Sequence, residues 1–447
     1  MSFTSPAFLV LLAGAVALYW MLPSQRARLF VLLGASFWFY GSRHWPSLLL
    51  LIAFIGANYA LALAQDLRRS RPLLAIAIAV NLAALGWFKY AGFLAEIARA
   101  ALGVPVPRPP AFLPLGISFF TFQVLAYQID VYRGTVSAER SLLVFGVFKC
   151  FFAQLVAGPI VRARELLPQL RERRRFDAEG FHHGLFLIVA GLALKIGVAD
   201  VLAQFVSDAF GRTPGLATTE AWGGAYAFAF QLYADFWGYS TMAVGIGLLF
   251  GLELPLNFRD PFLASSLQDF WRRWHVTLSR WFRDYLYIPL GGNRRAGGRN
   301  LLVTLALGGL WHGAGFTFVL WGLAHGAWLL AERRLRLWTR IPRALRILFV
   351  FHGVTALFVV FRSPKLPVAG AYLSRMFLPP YGTATMPALL AIWLAAFALL
   401  MTPLSRLIEE RGFLRLGLRW QVAATAALIL FALAHAGAQI DFIYFTF

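Results

Sequence analysis

The chain has 447 residues, of which 60% are hydrophobic and 14% are charged, and its formal net charge is +21. Ordinary soluble domains are about 45–50% apolar and about 25% charged, so this composition excludes a soluble protein of this size. Long apolar runs recur along the whole chain. This distribution predicts a polytopic membrane protein of the all-α class, with a single membrane-embedded domain over 1–447.

A membrane span needs about 20 predominantly apolar residues. On that rule the sequence predicts membrane segments near 5–22, 28–41, 46–64, 72–95, 112–130, 142–160, 181–200, 222–250, 301–331, 347–361, 386–402 and 421–437. We expect these segments to make about eleven crossings. The first run has no basic region before it and arginines after it, so we interpret it as a retained span that starts outside.

The positions of the arginines test this list, because basic loops remain in the cytoplasm. Three apolar runs lie between the basic loops at 68–71 and 171–175, so one run must fail to cross. We expect this run to be 112–130, since several prolines crowd its entry. They are Pro105, Pro107, Pro109, Pro110 and Pro114. Basic residues in short loops meet anionic lipid headgroups, so the positive charge predicts contact with membrane lipid and no nucleic-acid partner.

The apolar run 301–331 lies between two arginine-rich stretches, 252–300 and 333–346, that we both expect in the cytoplasm. This run must therefore turn back. Four glycines within 308–315 allow a break in its helix. The sequence predicts a re-entrant hairpin over 301–331 with His312 at its turn, buried in protein or facing a wet cavity.

The stretch 266–288 has a different pattern, in which apolar residues recur at three- and four-residue steps. On a helical wheel they form one stripe, and arginines lie on the opposite side. This pattern predicts an interfacial helix over 266–288. His275 falls on the boundary between the two faces.

The common signatures of soluble enzymes are missing from the sequence, including the nucleophile elbow, the Walker A loop and the HExxH zinc motif. The single cysteine, Cys150, excludes a disulfide framework and a site of several thiolates. We therefore expect no metal site and no bound cofactor. Cys150 itself is interpreted as inert packing.

His312 is the strongest candidate for a catalytic residue, because the glycines around it leave space for a substrate chain. A buried neutral imidazole with a pKa near its ordinary value of about 6.5 can take a proton from a hydroxyl that attacks an acyl carbon. His325 lies in the second half of the predicted hairpin. It either supports the site or is structural.

Asp235 lies near the middle of the 222–250 run, where a carboxylate needs a partner. It either orients a catalytic group or locks two helices. The arginines of 272–283 form a solvated interfacial face or bind the phosphates of an acyl donor. The candidate donor-binding residues are Asp235, Trp271, Arg272, Arg273, Trp274, Arg283, Tyr287, Trp311 and His325.

Several runs resemble motifs of the membrane-bound O-acyltransferase family. The central ones are DFWRRWHVTLS at 269–279, DYLYIPLGGN at 284–293 and LWHGA at 310–314. Further matches are PLGISFFTF at 114–122, QLVAGPI at 154–160 and FIYF at 442–445. Together they are similar to the bacterial branch that contains the alginate O-acetyltransferase membrane subunit, and the resemblance covers nearly the whole chain.

The resemblance implies a ring of tilted helices around a thinned centre, where a cytoplasmic funnel and an external funnel meet. His312 matches the catalytic histidine of the family, and His275 matches its second active-site position. Members of this branch take an acyl group from a cytoplasmic thioester and pass it outward, often to a periplasmic partner that acetylates a polysaccharide.

These observations predict an O-acetyltransferase of the bacterial inner membrane that uses acetyl-CoA or another acyl thioester. We expect His312 to act as the base and His275 to hold or polarise the donor. One alternative is D-alanyl transfer from a carrier protein to teichoic acid by the same route. Another is a transporter or flippase that uses Asp130, Asp200 and Asp235 as a relay.

Overall fold

The computed structural model describes residues 2–103, 112–156, 158–335, 338–378, 388–409, 411–437, 440 and 442–443. All regular elements among these residues are helices. The four prolines between 105 and 110 and the motif residues Ala157, Tyr444 and Phe445 lie outside the described part, as does the start of the predicted 386–402 segment. The chain divides into unit 1, residues 1–188 with 242–255, and unit 2, residues 189–241 with 256–447.

Five helices of the described chain are long and apolar enough to cross a membrane. They are Trp45–Arg68, Arg71–Leu102, Ala178–Gly211, Arg343–Arg362 and Leu390–Glu409. Two shorter apolar helices are Pro6–Met21 and Leu418–Ala434. The fold is therefore that of an all-helical, multi-pass membrane protein, and the number of eleven crossings stays a prediction.

The first half of the chain is a succession of helices. They are α1 Pro6–Met21, α2 Gln25–Gly41, α3 Trp45–Arg68, α4 Arg71–Leu85, α5 Ala91–Leu102, α6 Ile117–Arg133, α7 Leu142–Cys150, α8 Phe152–Leu155, α9 Ala163–Arg171 and α10 Ala178–Leu192. Serine caps fix the start of three of them: the side chains of Ser5, Ser24 and Ser141 accept hydrogen bonds from the first-turn amides of α1, α2 and α7.

Helix α6 contains most of the run that the arginine pattern predicts not to cross. Nearly all of its side chains are buried within unit 1. Buried amides tie it to α3 and α4: Asn58 and Asn81 exchange hydrogen bonds of 3.0 and 2.7 Å, and Gln128 donates to the Asn58 carbonyl at 2.8 Å. Cys150, at the end of α7, is also fully buried.

The second half of the chain continues in the same way. Its helices are α11 Asp200–Gly211, α12 Thr218–Leu249, α13 Leu267–Arg273, α14 Val276–Phe282, α15 Gly297–His312, α16 Phe316–Arg334, α17 Arg343–Arg362, α18 Leu366–Phe377, α19 Ala388–Glu409 and α20 Leu418–Ala434.

Helices α15 and α16 form a tightly packed hairpin. Helix α15 ends at His312, and residues 313–315 connect it to α16, with Gly313 and Gly315 in extended conformations. A Cβ atom on Gly309 would collide with the Phe318 carbonyl oxygen, and one on Gly322 would collide with that of Leu305. The break therefore lies among the glycines that suggest it. Its position relative to a membrane stays a prediction.

The stretch 266–288 differs from the single helix that its periodicity predicts. It contains α13, α14 and a π-helical turn, Arg283–Tyr287. Helix α13 stops because His275 adopts a left-handed conformation, with φ 42° and ψ 54°. The interfacial position of this stretch stays a prediction.

Candidate active site

Unit 2 contains a cavity of about 740 Å³ that reaches His312. Aromatic and aliphatic side chains from α14, α15 and α16 form much of its wall. Five arginines also line it: Arg272, Arg280, Arg283, Arg333 and Arg346. A cavity of this size can hold an elongated ligand of drug size or larger, and its positive charge favours an anionic one.

His312 occupies the last position of α15, directly before the glycine break. Its ring lies among three aromatic rings, with centroid distances of 4.9 Å to Trp311 and 5.4 Å to both Trp321 and Phe361. The side chain is only 4% exposed, yet it forms part of the cavity wall. The cavity therefore brings a substrate to an imidazole that is otherwise enclosed by aromatic rings.

The ring of His275 also contacts Trp311. Its ring centroid is 6.0 Å from that of Trp311 and 4.6 Å from that of Phe236. The side chain is fully buried and does not line the cavity. Burial lowers the pKa of His275 to about 3, because the protein interior disfavours the imidazolium. His275 is therefore a neutral base at physiological pH.

Backbone hydrogen bonds to the segment 257–259 stabilise the break between α13 and α14 at His275. The Asn257 carbonyl accepts a hydrogen bond of 2.9 Å from the amide of Val276, and the amide of Arg259 donates to the Arg273 carbonyl at 3.0 Å. The side chain of Asn257 accepts from the Thr277 hydroxyl at 2.7 Å. Sequence reasoning missed Asn257. The only signal in the sequence is a polar amide within the otherwise apolar run 254–258.

His325 is fully buried behind the cavity wall. Its Nδ1 atom lies 3.0 Å from the Trp321 carbonyl oxygen, and because a carbonyl only accepts, Nδ1 donates this bond. The ring contacts Trp321 and Trp271, at 4.6 and 5.3 Å between centroids. Both tryptophans line the cavity, so His325 supports the cavity wall.

The other predicted donor-binding residues separate into two groups. Trp271, Arg272, Arg283 and Tyr287 line the cavity. Arg283 also bonds Asp284 at 2.7 Å, and the Tyr287 hydroxyl bonds Asn293 at 2.6 Å.

Arg273, Trp274, Trp311 and His325 are absent from the cavity lining. Arg273 instead pairs with Asp269 at 2.9 Å. Trp274 is buried among aromatic rings that include Phe258 and Phe270.

Asp235 also lies away from the cavity lining. Its Oδ1 atom is 2.9 Å from Lys195 Nζ, and its Oδ2 atom accepts a bond of 2.7 Å from the Ile443 amide. The partner that we expect for a carboxylate in the middle of this apolar run is thus a lysine. These contacts join helix α12 to the π-helical turn Ala193–Ala199 and to the chain near residue 443.

Arg280, which also lines the cavity, is one of the arginines of 272–283 that the sequence suggests for donor phosphates. Two further cavity arginines, Arg333 and Arg346, are absent from the sequence-based candidates. Both come from the arginine-rich stretch 333–346 that the charge pattern assigns to the cytoplasm. Glu332 lies beside them and caps α13, since its carboxylate accepts from the Leu267 amide at 2.8 and 3.1 Å. Only the tertiary fold brings this stretch next to α13 and α14.

The fold and the cavity define the class of the protein: a multi-pass helical membrane protein with a histidine at the end of an arginine-lined cavity. The family model described as MBOAT, membrane-bound O-acyltransferase family, matches residues 136–362. The chain belongs to this family and is an O-acyltransferase.

The alignments with relatives cover more of the chain than the family model does. The chain is 40% identical to the probable alginate O-acetylase AlgI of Pseudomonas putida, over 84% of this chain and 80% of the relative. The peptidoglycan O-acetyltransferase of Helicobacter pylori is 37% identical over 76% of this chain and 72% of its own length. The teichoic acid D-alanyltransferase of Bacillus subtilis is 28% identical, over 55% and 68% respectively. Both acetyl-transferring relatives match more of the chain than this alanyl-transferring relative.

Proposed function

We propose that the protein takes an acetyl group from a cytoplasmic thioester, acetyl-CoA or another acyl thioester, and passes it outward. The acceptor is a hydroxyl of an extracytoplasmic polysaccharide such as alginate, reached directly or through a periplasmic partner. The site of action is the inner membrane of a bacterium. The similarity to proteins named alginate O-acetylase and peptidoglycan O-acetyltransferase supports acetyl transfer to a polymer.

The observation that carries this proposal is the position of His312 in the wall of the cavity. Its imidazole accepts the proton of the acceptor hydroxyl as the oxygen attacks the thioester carbonyl carbon. The new C–O bond forms and the C–S bond breaks. The imidazolium then returns its proton to the leaving thiolate, so that no covalent enzyme intermediate is needed.

The arginines support entry of the donor from the cytoplasm. Their guanidinium groups suit the phosphates of an acyl thioester such as acetyl-CoA, and they belong to stretches that the charge pattern assigns to the cytoplasm. The acetyl group is therefore the part of the donor that reaches deepest, toward His312. The aromatic wall around His312 suits an uncharged acyl chain.

The membrane architecture that fits this route is a ring of about eleven helices with an external funnel opposite the donor cavity. The hairpin of α15 and α16 is re-entrant, and 266–288 lies in the cytoplasmic interface. An acceptor hydroxyl then reaches His312 from outside while the donor stays on the cytoplasmic side.

The experiment is a transfer assay in membranes that contain the full chain and its native acceptor polymer, with isotopically labelled acetyl donor. His312→Ala is expected to lower acetyl transfer by about 10²–10⁴-fold, the usual contribution of a general base. The matched control is His352→Ala, because His352 bonds the Leu348 carbonyl of its own helix and does not line the cavity.

Full transfer by His312→Ala, in protein that inserts normally, would overturn the proposal. Mass analysis of the polymer separates the alternatives. An added alanyl group instead of an acetyl group would indicate D-alanyl transfer.

A further inference from the structure

The orientation of the Asn257 side chain is fixed by groups whose hydrogen-bonding roles are unambiguous. Its Oδ1 atom lies 3.4 Å from the backbone nitrogen of Thr277 and 2.7 Å from the Thr277 hydroxyl. Its Nδ2 atom donates to the Ser240 hydroxyl at 3.0 Å. Because a backbone N–H can only donate, the atom that faces Thr277 must be the amide oxygen.

This oxygen also meets the imidazole of His275. The distance from Asn257 Oδ1 to His275 Nδ1 is 3.3 Å. Since the amide oxygen can only accept, Nδ1 must carry the proton. A neutral imidazole has one N–H and one lone pair, so the lone pair of His275 is then on Nε2. Full burial against Phe236 and Trp311 keeps the ring neutral.

The backbone supplies an independent observation at the same place. His275 has a left-handed conformation, with φ 42°, which is unfavourable for a residue with a Cβ atom. Such conformations persist where the surroundings enforce them, and they cluster at functional sites. Here the Asn257 carbonyl enforces it by accepting from the Val276 amide at 2.9 Å. One residue thus fixes both the backbone and the ring of His275.

We infer that Asn257 is a positioning residue that holds His275 in the Nδ1–H tautomer, so that Nε2 carries the accepting lone pair. This inference rests on the proposed function and decides between the two roles expected for His275. The ring N–H is engaged by Asn257, and polarising the thioester carbonyl would require a ring N–H directed at it, so His275 does not polarise that carbonyl.

The first test uses the unmodified full chain in lipid nanodiscs with ¹⁵N-labelled histidine. The ring nitrogen signals of His275 are assigned by their loss in His275→Ala. We expect a protonated Nδ1 and an unprotonated Nε2 at neutral pH. Protonation at Nε2 would overturn the inference, even if His312→Ala abolishes transfer. Conversely, full transfer by His312→Ala would overturn the proposed function and leave the measured tautomer intact.

The second test is a double-mutant cycle on kcat for acetyl transfer, with Asn257→Ala and His275→Ala. Because Asn257 acts through His275, the double variant should be no slower than His275→Ala alone, whereas Asn257→Ala should slow the wild-type enzyme by about 10-fold or more. If the reductions in kcat caused by Asn257→Ala and His275→Ala multiplied in the double variant, the inference would be contradicted.

The matched control for this cycle is Asn300→Ala. Asn300 is another buried asparagine of unit 2, and its Nδ2 atom lies within hydrogen-bonding distance of the carbonyls of Leu290, Gly292 and Arg295. Its removal lowers stability without altering the ring of His275. The effects of Asn300→Ala and His275→Ala on kcat should therefore multiply. If Asn300→Ala lost its effect in the His275→Ala background, the coupling measured for Asn257 would reflect stability alone and the inference would fail.

Discussion

The Lys195 ammonium lies 2.9 Å from the Asp235 carboxylate, and both side chains are almost completely buried within unit 2. The same ammonium contacts Asp200 at 2.6 Å, so one cation serves two carboxylates. Asp235 in turn accepts a hydrogen bond from the Ile443 amide. Of the two roles expected for Asp235, these contacts favour the locking of neighbouring segments.

Lys195→Met should destabilise the protein strongly. It leaves a buried carboxylate without its cation, and loss of one partner of a buried pair costs about 3–5 kcal/mol. The measurement is the free energy of unfolding in detergent or bicelles. Arg212→Met is the control, because Arg212 pairs with Asp208 where both side chains are more than half exposed. That change should cost far less, because solvent screens an exposed ion pair. Equal losses in the two variants would contradict the buried pairing.

The hairpin illustrates what the sequence can predict about this fold. Charge parity requires the run 301–331 to turn back, and the glycines around His312 mark where it breaks. The return of the run and the position of its break depend on the residues of this segment and its flanks, so the sequence alone predicts them. The stretch 266–288 shows the opposite case. Its periodicity favours one helix, but the hydrogen bond that the Val276 amide donates to the Asn257 carbonyl enforces a left-handed residue at His275. A tertiary contact thus overrides a local pattern.

The candidate site divides in the same way. His312, Arg272 and Arg283 are named from their own segments, and all three line the cavity. Arg333 and Arg346 belong to a different segment, so their approach to α13 and α14 depends on how the hairpin and α17 pack. The family motif suggests Arg273 and Trp274 as well, yet one pairs with Asp269 and the other is buried among aromatic rings. Position in the sequence therefore does not distinguish the side chains of this motif that line the cavity from those that do not.

Gly309→Ala should disrupt the hairpin. An added methyl group meets the Phe318 carbonyl oxygen, which belongs to the backbone and cannot rotate away, so α15 and α16 must separate. Overpacking of this kind costs about 3 kcal/mol and displaces Trp321 from His312. The midpoint temperature of thermal unfolding and the rate of acetyl transfer should both fall.

Gly298→Ala is the control on the same helix. The nearest atoms to its new methyl group are side-chain carbons of Leu330 at 3.6 and 3.8 Å, which is ordinary van der Waals contact. Alanine is a better helix former than glycine, so this variant should be at least as stable as the wild type. A stable Gly309→Ala protein would show that α15 and α16 pack less closely than described.

Arg272→Gln should weaken binding of a phosphate-bearing donor. Loss of a charged hydrogen bond at a partly exposed site should raise KM for acetyl-CoA by about 5–10-fold and leave kcat nearly unchanged. Acetyl-pantetheine carries no phosphate, so its KM should not respond. Arg334→Gln is the control, since Arg334 is next to Arg333 in the chain but does not line the cavity. A similar rise in KM with both donors would exclude phosphate recognition by Arg272.

The buried His275 should make the protein less stable in acid. Its pKa in the fold is about 3, well below the ordinary value of about 6.5 expected in the unfolded chain. Between these values the unfolded chain binds a proton that the folded chain does not, so stability falls as pH drops below about 6.5. At pH 5 this group alone should cost about 2 kcal/mol relative to pH 7.

The measurement is the free energy of unfolding at both pH values for the wild type and for His275→Asn, which removes the titrating ring at that position. The variant should lose about 2 kcal/mol less than the wild type on acidification, whatever its stability at pH 7. If His275→Asn kept the wild-type dependence on pH, His275 would not be held as a neutral imidazole by its burial in the fold.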